Sequence, residues 1–453
     1  MANHEVFFGV LAAIGLLAGG AGCSRTAADA QPAVASPAPA TPAAVSSGTL
    51  DYRVMERPLL TNHIQITSRD RFVKAGEAYF DHQKPARWVI FQAVAVPEAG
   101  REVETFYAMY VAKLKRDASG HIIGTEDPIK ISPDGSANTC GWFHPTEAGR
   151  VLFGSTLGPP ANNEKSGFQV GTRKYVWMFP SEMEVTTRFV DALVDERWAA
   201  KGSQTEPGAG AVMPVFSRPN YDAECSYSKD GRFILYSHVR DEQTRGRPDA
   251  DLWIYDTKTQ KQHEIVNADG YDGGPFFSPD GTMICYRSDR RGDDLLQLFV
   301  AKLKFDSAGV PVGIESEHQV TDDEHVNWAP YWHPSAKFLI YGSSGVGHSN
   351  YEIFAVEVDL DKPSKDLRKR RVTFAEGADV LPVVSDDGSL VMWTAQRGPM
   401  TARETKPSSQ LWIAEVNIAA GGFSDPARLF DNIPNQRPEG EPSKMKTTQP
   451  AHP

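Results

Sequence analysis

Asp and Asn side chains recur at one position of a repeated segment in the middle of this 453-residue chain. The position precedes the turn residue Ser278, or its counterpart in another copy, with five residues between them. In two copies a Glu lies two positions after the Asp or Asn position. Carboxylates gathered around one axis could bind a cation or the basic end of a peptide. The candidate binding residues are Glu77, Asn138, Asp222, Glu224, Asp272, Asn327 and Asp379.

A structural role for the Asp and Asn residues is the alternative. Side chains of this type cap turns, because they accept hydrogen bonds from backbone N–H groups two residues further on. Both interpretations require the copies to place this position at equivalent strand ends. Whether they do so depends on the strands that surround this position in each copy.

Six segments with one common plan position these residues. In each, an aromatic residue or Val precedes a short polar turn, and an apolar run typical of a β-strand follows. In the four clearest copies the turn residues Asp230, Asp280, Ser335 and Asp387 are 50, 55 and 52 residues apart. This period fits one four-stranded antiparallel sheet per copy. The copies span 79–93, 142–156, 227–237, 277–288, 332–344 and 384–395.

Further strand patterns complete each copy. A second apolar run follows each segment, at 106–114, 175–182, 251–257, 296–303, 351–358 and 410–416, before an outer strand leads into the next copy. The stretch that begins at His63 has the form of such an outer strand, with nothing before it to complete a sheet. We expect its strand, around 64–67, to join the last copy and close a ring, which removes an open sheet edge.

The repeat resembles a known family. The unit F-S-P-D-G, an apolar run, S-D-R-x-G and an aromatic strand, clearest at 276–303, is similar to the repeat of TolB-type β-propellers, which also occurs in the propellers of prolyl-oligopeptidase-type peptidases. The resemblance implies an all-β fold over 53–430, a six-bladed β-propeller of four-stranded antiparallel blades. The innermost strands of such a propeller line a central channel, so the Asp and Asn residues would surround one channel mouth.

Motifs for catalysis are missing from the sequence. It contains no G-x-S-x-G nucleophile elbow, no H-E-x-x-H and no Cys-pair zinc spacing, so we assign no catalytic residue, metal or cofactor. The stretch GSSGVGHS at 342–349 resembles a phosphate loop, but a strand pattern follows it where a helix would be needed. An enzyme acting on carbohydrate or peptide in the channel, as a lyase or hydrolase, is the alternative, with the acidic residues and His325 and His348 as candidates.

Histidine and cysteine positions add structural expectations. His144 and His333 precede Pro at the turn position where other copies have Ser, which favours a structural role. Cys140 and Cys225 lie in adjacent copies, one position apart in the alignment. A disulfide between them stays open, because the Cα atoms would have to lie within about 7 Å.

The N-terminus has the features of a lipoprotein signal. An apolar run at 6–17 leads through small residues to Cys23, so we predict a signal peptide at 1–23 with Cys23 as the lipidation site. Residues 24–52 are predicted to be an Ala/Pro-rich disordered tether, and 431–453 a disordered tail. Lipid chains on Cys23 would hold the protein on a membrane.

The charge narrows the choice of partner. A net charge of -11 argues against binding nucleic acid, which requires a basic surface, and the single basic run at 368–371 is predicted to be a solvated loop. We therefore expect a bacterial lipoprotein in the periplasm or on the cell surface. Its predicted function is to bind a partner protein or a cell-envelope polymer.

Overall fold

Six antiparallel β-sheets follow one another along the chain. The computed structural model describes residues 51–161, 179–194, 210–244, 247–401, 404, 406–420, 423 and 426–431. The predictions for the signal peptide, for Cys23, for the tether up to residue 50 and for the tail beyond residue 431 lie outside these residues. A short helix, α1 (Tyr52–Glu56), begins the described part, and α2 (Pro426–Asp431) ends it.

The strands are numbered in chain order. The first half contains β1 (Leu60–Gln65), β2 (Phe72–Phe80), β3 (Trp88–Ala95), β4 (Ala108–Arg116), β5 (Ile122–Thr125), β6 (Ile129–Lys130), β7 (Asn138–Phe143), β8 (Arg150–Ser155), β9 (Glu184–Phe189), β10 (Met213–Pro214), β11 (Asp222–Tyr227), β12 (Phe233–Thr244), β13 (Arg247–Asp256) and β14 (Lys261–Val266). The second half contains β15 (Asp272–Phe277), β16 (Met283–Ser288), β17 (Gln297–Phe305), β18 (Pro311–Gln319), β19 (Asn327–Trp332), β20 (Phe338–Ser343), β21 (Glu352–Glu357), β22 (Lys369–Arg371), β23 (Asp379–Val384), β24 (Leu390–Ala395) and β25 (Gln410–Val416).

These strands form the predicted six-bladed β-propeller. Blade 1 runs from β2 to β5, with β6 beside β4, and blades 2 to 5 each take the next four strands in order from the inside outwards. Blade 6 consists of β23, β24, β25 and β1. The described helices are short, and none of them is long and apolar enough to cross a membrane.

The N-terminal strand closes the ring, as the sequence predicted. β1 pairs antiparallel with β25, with Leu60 opposite Val416 and Ile64 opposite Ile413. The observed strand begins four residues before the predicted range. Because β1 covers the free edge of β25, the first and last parts of the chain share one blade.

The blades pack face to face through apolar side chains. The second strands are buried on both faces: every residue of β24 is buried, and Trp393 at its centre is fully enclosed. β-branched and aromatic residues suit such strands, since both faces of the pleat contact a neighbouring sheet. Burying a large side chain of this kind contributes roughly 1.5–3 kcal/mol.

Each innermost strand carries a β-bulge at the same place. The pairing register shifts there in all six blades. One residue per bulge has a φ between 41° and 57°, the left-handed region. A bulge redirects a side chain and bends the strand. The bulge residues are Glu77, Cys140, Glu224, Gly274, Ala329 and Leu381.

Two details differ from the prediction. The third strand of blade 2 is β9, at Glu184–Phe189, whereas the sequence pattern placed it at 175–182; residues 179–182 contain no strand. The basic run at 368–371 is not a loop, because Lys369–Arg371 form β22, the outer strand of blade 5. An outer strand has one solvated face, so a run of charged residues is tolerated there.

Candidate functional site

The Asp and Asn residues at the starts of the inner strands are buried. Asn138, Asp222, Asp272, Asn327 and Asp379 are each at most 5% exposed. A buried carboxylate or amide must find partners inside the protein. The partners observed for each residue therefore show what it does in the fold.

The two Asn side chains hold backbone and neighbouring polar groups. Asn138 donates from Nδ2 to the carbonyl oxygens of Tyr107 and Ser136, both at 2.9 Å. Asn327 donates to the Asp323 carboxylate at 2.7 Å and accepts from the Ser343 hydroxyl at 2.7 Å. These contacts join the start of the inner strand to the preceding connection and to the second strand.

The Asp side chains pair mainly with arginines. Asp272 accepts from Arg290 Nη2 at 2.9 Å, and Asp379 accepts from Arg397 Nη2 at 2.6 Å; in both pairs the arginine lies 18 residues later. Burial raises the pKa of Asp272 to about 7, and Arg290 opposes that rise. The pairing differs from the predicted backbone cap, because an arginine in the loop after the second strand supplies the donors.

Asp222 also pairs with an arginine, but that arginine lies four residues before it in the chain. It accepts from Arg218 Nη2 at 2.9 Å and contacts His238 Nδ1 at 3.0 Å. These contacts favour a structural role for the three Asp residues. Their part in ligand binding stays a prediction.

The two candidate Glu residues are bulge residues that lie inside the channel. Glu224 accepts from the Tyr271 hydroxyl at 2.8 Å, and Arg287 Nη2 lies 3.1 Å from it. Glu77 accepts from Cys140 Sγ at 2.8 Å and from the Tyr79 hydroxyl at 3.1 Å. Burial raises the pKa of Glu77, because the hydrogen bonds and the nearby Arg287 only partly offset the loss of water.

The cysteines near these residues are free thiols. Cys140 and Cys225 do not form a disulfide, and Cys225 Sγ lies 4.0 Å from the Cys140 carbonyl oxygen. Burial raises the pKa of the Cys140 thiol, and the Glu77 carboxylate raises it further. The thiol therefore serves as a hydrogen-bond donor to Glu77.

Four aromatic rings fill the channel next to the bulges. We call Tyr79, Trp142, Phe276 and Tyr331 the aromatic plug. The ring centroids lie 5.0 Å apart for Tyr79 and Trp142, 5.4 Å for Trp142 and Phe276, and 5.2 Å for Phe276 and Tyr331. A void of about 10 Å³ remains between the plug and Glu77. Such a space is at the lower limit for one water molecule.

A pocket of about 360 Å³ opens on the other side of the aromatic plug. Residues of all six blades line it, so it is the axial mouth of the channel on the side of the hairpins between first and second strands; we call it the mouth pocket. Trp142, Phe276 and Tyr331 form its floor. Its walls include His82, Lys84, Pro145, Tyr227, Lys229, Phe277, Pro279, Trp332, Pro334 and Asp386.

Several polar groups of the mouth pocket have no partner among the described residues. Lys84 and Lys229 are exposed and form no hydrogen bond or ion pair there. Trp142 Nε1 and His82 Nε2 are buried without a hydrogen-bond partner. The other nitrogen of His82 lies 3.3 Å from the Asp386 carboxylate. This pocket was not predicted from the sequence, although four copies carry an aromatic residue two positions after the bulge, a pattern that indicates it.

The four histidines that the sequence analysis named divide into two groups. His144 Nδ1 accepts from the backbone N–H of Glu147 at 2.9 Å, and His333 Nδ1 accepts from that of Ser335 at 3.1 Å, so both cap their turns. His325 and His348 lie in loops of blade 5. Among the residues that the structure describes, no group of three or more His, Cys, Asp or Glu could hold a metal ion. A catalytic role for His325 and His348 stays a prediction.

Comparison with known proteins gives similarity over parts of the chain. No family model matches. The uncharacterized protein Atu1656 of Agrobacterium fabrum is 25% identical over 117 residues, 26% of this chain and 34% of that protein. The uncharacterized peptidase YuxL of Bacillus subtilis is 27% identical over 138 residues, 30% of this chain and 20% of that protein. The chain thus spans about a third and a fifth of the length of these relatives.

Solved structures with a similar fold include TolB proteins. TolB from Acinetobacter baumannii has a TM-score of 0.43 at 14% identity, covering 72% of this chain and 63% of that one. A putative TolB from Agrobacterium tumefaciens has a TM-score of 0.43 at 13% identity, covering 78% of this chain and 96% of that one. An oligogalacturonate lyase in complex with manganese has a TM-score of 0.42 at 11% identity, covering 80% of this chain and 94% of that one. A likeness at this level concerns the fold alone, and the sheet order of the chain itself defines the six-bladed β-propeller.

Proposed function

We propose that this chain is an extracytoplasmic binding protein that captures a partner protein or a cell-envelope polymer at the mouth pocket. In this proposal a lipid on Cys23 holds the protein on a membrane, and residues 24–50 act as the tether between lipid and propeller. The last two residues of the predicted tether belong to the start of α1, with Asp51 as its N-cap and Tyr52 as its first residue. The observation that carries the proposal is the mouth pocket itself, a concave site to which all six blades contribute.

The composition of the mouth pocket suits binding. Ligand sites are typically concave, largely apolar cavities of about 300–1,000 Å³ with a few polar groups that fix orientation. The floor consists of aromatic rings, a residue type that contributes strongly to binding interfaces. Lys84 and Lys229 at the rim pair with none of the described residues and can therefore pair with a ligand.

Site-specific photo-crosslinking in cells that express the full chain tests the proposal. A benzophenone side chain at Lys84 or Lys229 should form one shared crosslinked product, whereas the same side chain at Lys304, an exposed residue on β17, should not. Replacing Tyr331 by Ala should remove the product by changing the floor. Equal crosslinking from all three positions, or none from Lys84 and Lys229, would contradict binding at the mouth.

The anchor has a separate test. Cys23→Ser should move the protein from the membrane fraction to the soluble fraction, because an acyl chain contributes about 0.8 kcal/mol of membrane affinity per buried CH₂ group. Cys225→Ser is the matched control, since that thiol lies inside the propeller. Unchanged fractionation of Cys23→Ser would exclude the lipid anchor.

A further inference from the structure

We infer that the mouth pocket binds the free carboxyl end of a partner polypeptide whose last residue has a large apolar side chain. This inference rests on the proposed function and adds the chemical class of the ligand. Four features of the mouth pocket carry it: its two-sided character, the kind of polar groups it offers, its closed floor and its charge.

The mouth pocket has a cationic side and an apolar side. Lys84 lies on blade 1 and Lys229 on blade 3, the two neighbours of blade 2. Blades 4 and 5 supply the apolar wall, with Phe277, Pro279, Trp332 and Pro334 above the floor residues Phe276 and Tyr331. A ligand with a negative charge beside an apolar group matches both sides at once.

The unpartnered polar groups are mostly hydrogen-bond donors. The ammonium groups of Lys84 and Lys229 and the indole N–H of Trp142 can only donate. A carboxylate only accepts, so it fits such a set. A saccharide presents hydroxyl groups that both donate and accept, and it would need acceptors here. The carboxylate of Asp386 is the acidic acceptor in the lining of the pocket, and one of its oxygens faces His82 at 3.3 Å.

The aromatic plug closes the floor, so a chain cannot pass through. Neighbouring rings are tilted by 33° to 62° relative to one another, which forms a cup and offers no flat platform. A cup of this kind suits one bulky side chain, whereas sugar rings bind best on a flat aromatic face. A closed pocket of about 360 Å³ accepts a chain end.

Charge at the rim supports the same ligand. The protein has a net charge of -11, yet the two lysines of the mouth pocket have no acidic partner among the residues that the structure describes. The nearby turn residues Asp230, Asp280 and Asp387 stay charged, but each accepts a hydrogen bond at 2.6 Å from the Ser two residues earlier and so bonds its own turn. Inside the pocket, Lys84 and Lys229 therefore supply the attraction for a chain-end carboxylate, which acts at short range because salt screens the more distant charges.

Fluorescence anisotropy with the full-length protein in detergent tests the inference. The probes are three peptides labelled at the N-terminus: Gly-Ser-Gly-Ser-Phe with a free carboxylate, the same peptide as an amide, and Gly-Ser-Gly-Ser-Gly with a free carboxylate. The Phe acid should bind best. The amide should bind about tenfold more weakly or worse, because it loses charge-assisted hydrogen bonds. The Gly acid should also bind about tenfold more weakly, because it leaves the floor empty.

Two double variants separate the lysines from general charge effects. Lys84→Gln with Lys229→Gln should reduce binding of the Phe acid to the level of the amide. Lys258→Gln with Lys304→Gln removes the same charge at exposed positions outside the mouth pocket and should leave the ratio of acid to amide unchanged. All four lysines are exposed, so the variants should fold.

The outcomes distinguish this inference from the proposed function. Equal binding of acid and amide, or a ratio that the Lys84 and Lys229 changes leave intact, would overturn the carboxyl-end ligand. If an oligosaccharide of uronic acids bound at the mouth in place of the peptides, the inference would fail while the proposed function stood. Absence of the specific crosslinks described above would instead remove the proposed function.

Discussion

Arg397 and Glu56 form a buried ion pair across the closure of the ring. Arg397 Nη2 lies 2.7 Å from Glu56 Oε1, the two residues are 341 positions apart, and both side chains are fully buried. Arg397 also pairs with Asp379 at the start of β23, while Glu56 contacts His63 on β1 at 2.7 Å. Burial alone would raise the pKa of Glu56, but Arg397 and His63 outweigh it and lower that pKa.

Replacing Arg397 by Met should therefore destabilise the propeller strongly. The change leaves the carboxylates of Glu56 and Asp379 buried without their cation, and breaking a buried pair in this way costs about 3–5 kcal/mol. Urea denaturation, followed by tryptophan fluorescence, would measure the loss. Limited proteolysis should also cleave near β1 sooner, since the pair fixes α1 and β1 to blade 6.

Arg53→Met is the matched control for that change. Arg53 lies on α1, the same helix as Glu56, but its side chain is about half exposed and its contact with Asp51 is at the surface. A surface pair contributes about 0–1 kcal/mol, so this variant should keep nearly the full stability. Similar losses from both variants would mean that the pair between Arg397 and Glu56 is not what secures the closure.

The sequence predicted the closure but not this pair. Repeats reveal which strand patterns are equivalent, and the outer-strand form around His63 was enough to predict β1 in blade 6. Glu56 lies before the first repeat and Arg397 in a loop whose length varies from copy to copy, so no periodicity relates them. Contacts of this kind depend on tertiary geometry alone.

The candidate site was predicted in part for a related reason. Alignment found the positions of Asp272 and Glu224, because both follow the period, but it did not show that Glu224 lies in a bulge. The alignment could not show that Arg290 pairs with the Asp272 carboxylate, because that arginine lies in the variable loop. The mouth pocket combines periodic residues such as Tyr331 with turn residues such as Lys229, and its free lysines emerge only once the turns are placed.

The two channel glutamates should differ in their effect on stability. Glu224→Gln leaves the buried charge of Arg287 without its carboxylate and should cost about 3 kcal/mol. Glu77→Gln should cost less than about 1 kcal/mol, because Glu77 forms no ion pair with a described residue and burial raises its pKa, which favours the neutral form. An acid with a raised pKa loses stability as the pH rises above its ordinary pKa, so Glu77→Gln should gain relative to the wild type as the pH rises above about 4.5.

Urea denaturation of both variants at pH 5 and pH 8 would measure this difference. Glu98→Gln, an exposed change of the same chemistry, is the control. A Glu77→Gln variant that is as unstable as Glu224→Gln would show that the two residues act as one charged unit with Arg287.

The bulge position should tolerate substitution very differently in adjacent blades. At Gly274 the φ is 57°, and an added Cβ would lie 2.1 Å from Arg287 Nη1, so Gly274→Ala should displace Arg287 and cost about 2 kcal/mol or more. At Ala329 the φ is 52°, and Ala329→Gly relieves about 1–2 kcal/mol of left-handed strain while it removes one buried methyl group worth about 0.8 kcal/mol.

Thermal unfolding of the two variants should therefore show a clear loss for Gly274→Ala and a change within about 1 kcal/mol for Ala329→Gly. The pair is its own control, because the two residues occupy the same place in neighbouring blades. Equal destabilisation by both changes would mean that the bulges adjust their conformation and do not constrain the residue type.

His333 should make the propeller less stable in mild acid. Its ring is buried against Phe338, with centroids 4.2 Å apart, and burial lowers its pKa from 6.5 to about 4. The folded protein therefore binds fewer protons at this residue than the unfolded chain between those pH values. Stability from this site is fully present above pH 6.5 and is lost as the pH falls towards 4, by an amount on the order of 3 kcal/mol.

His333→Ser should remove that acid sensitivity. Ser228, Ser278 and Ser385 occupy the same turn position in blades 3, 4 and 6, and their hydroxyls accept from the backbone five residues on at 2.9–3.0 Å, so the turn can keep a cap. At pH 7 the variant should lose about 1–2 kcal/mol of ring packing. At pH 4.5 it should equal or exceed the wild type, because it has no buried imidazole to protonate.

Denaturation midpoints measured from pH 4 to pH 8 would show whether the two curves converge. His325→Ser serves as control, since that side chain is exposed and its loss should leave the slope unchanged. A His333→Ser curve parallel to that of the wild type would place the acid sensitivity elsewhere. In that case the folded and unfolded chains would bind a proton at His333 equally well, and packing against Phe338 would not lower the pKa of this ring.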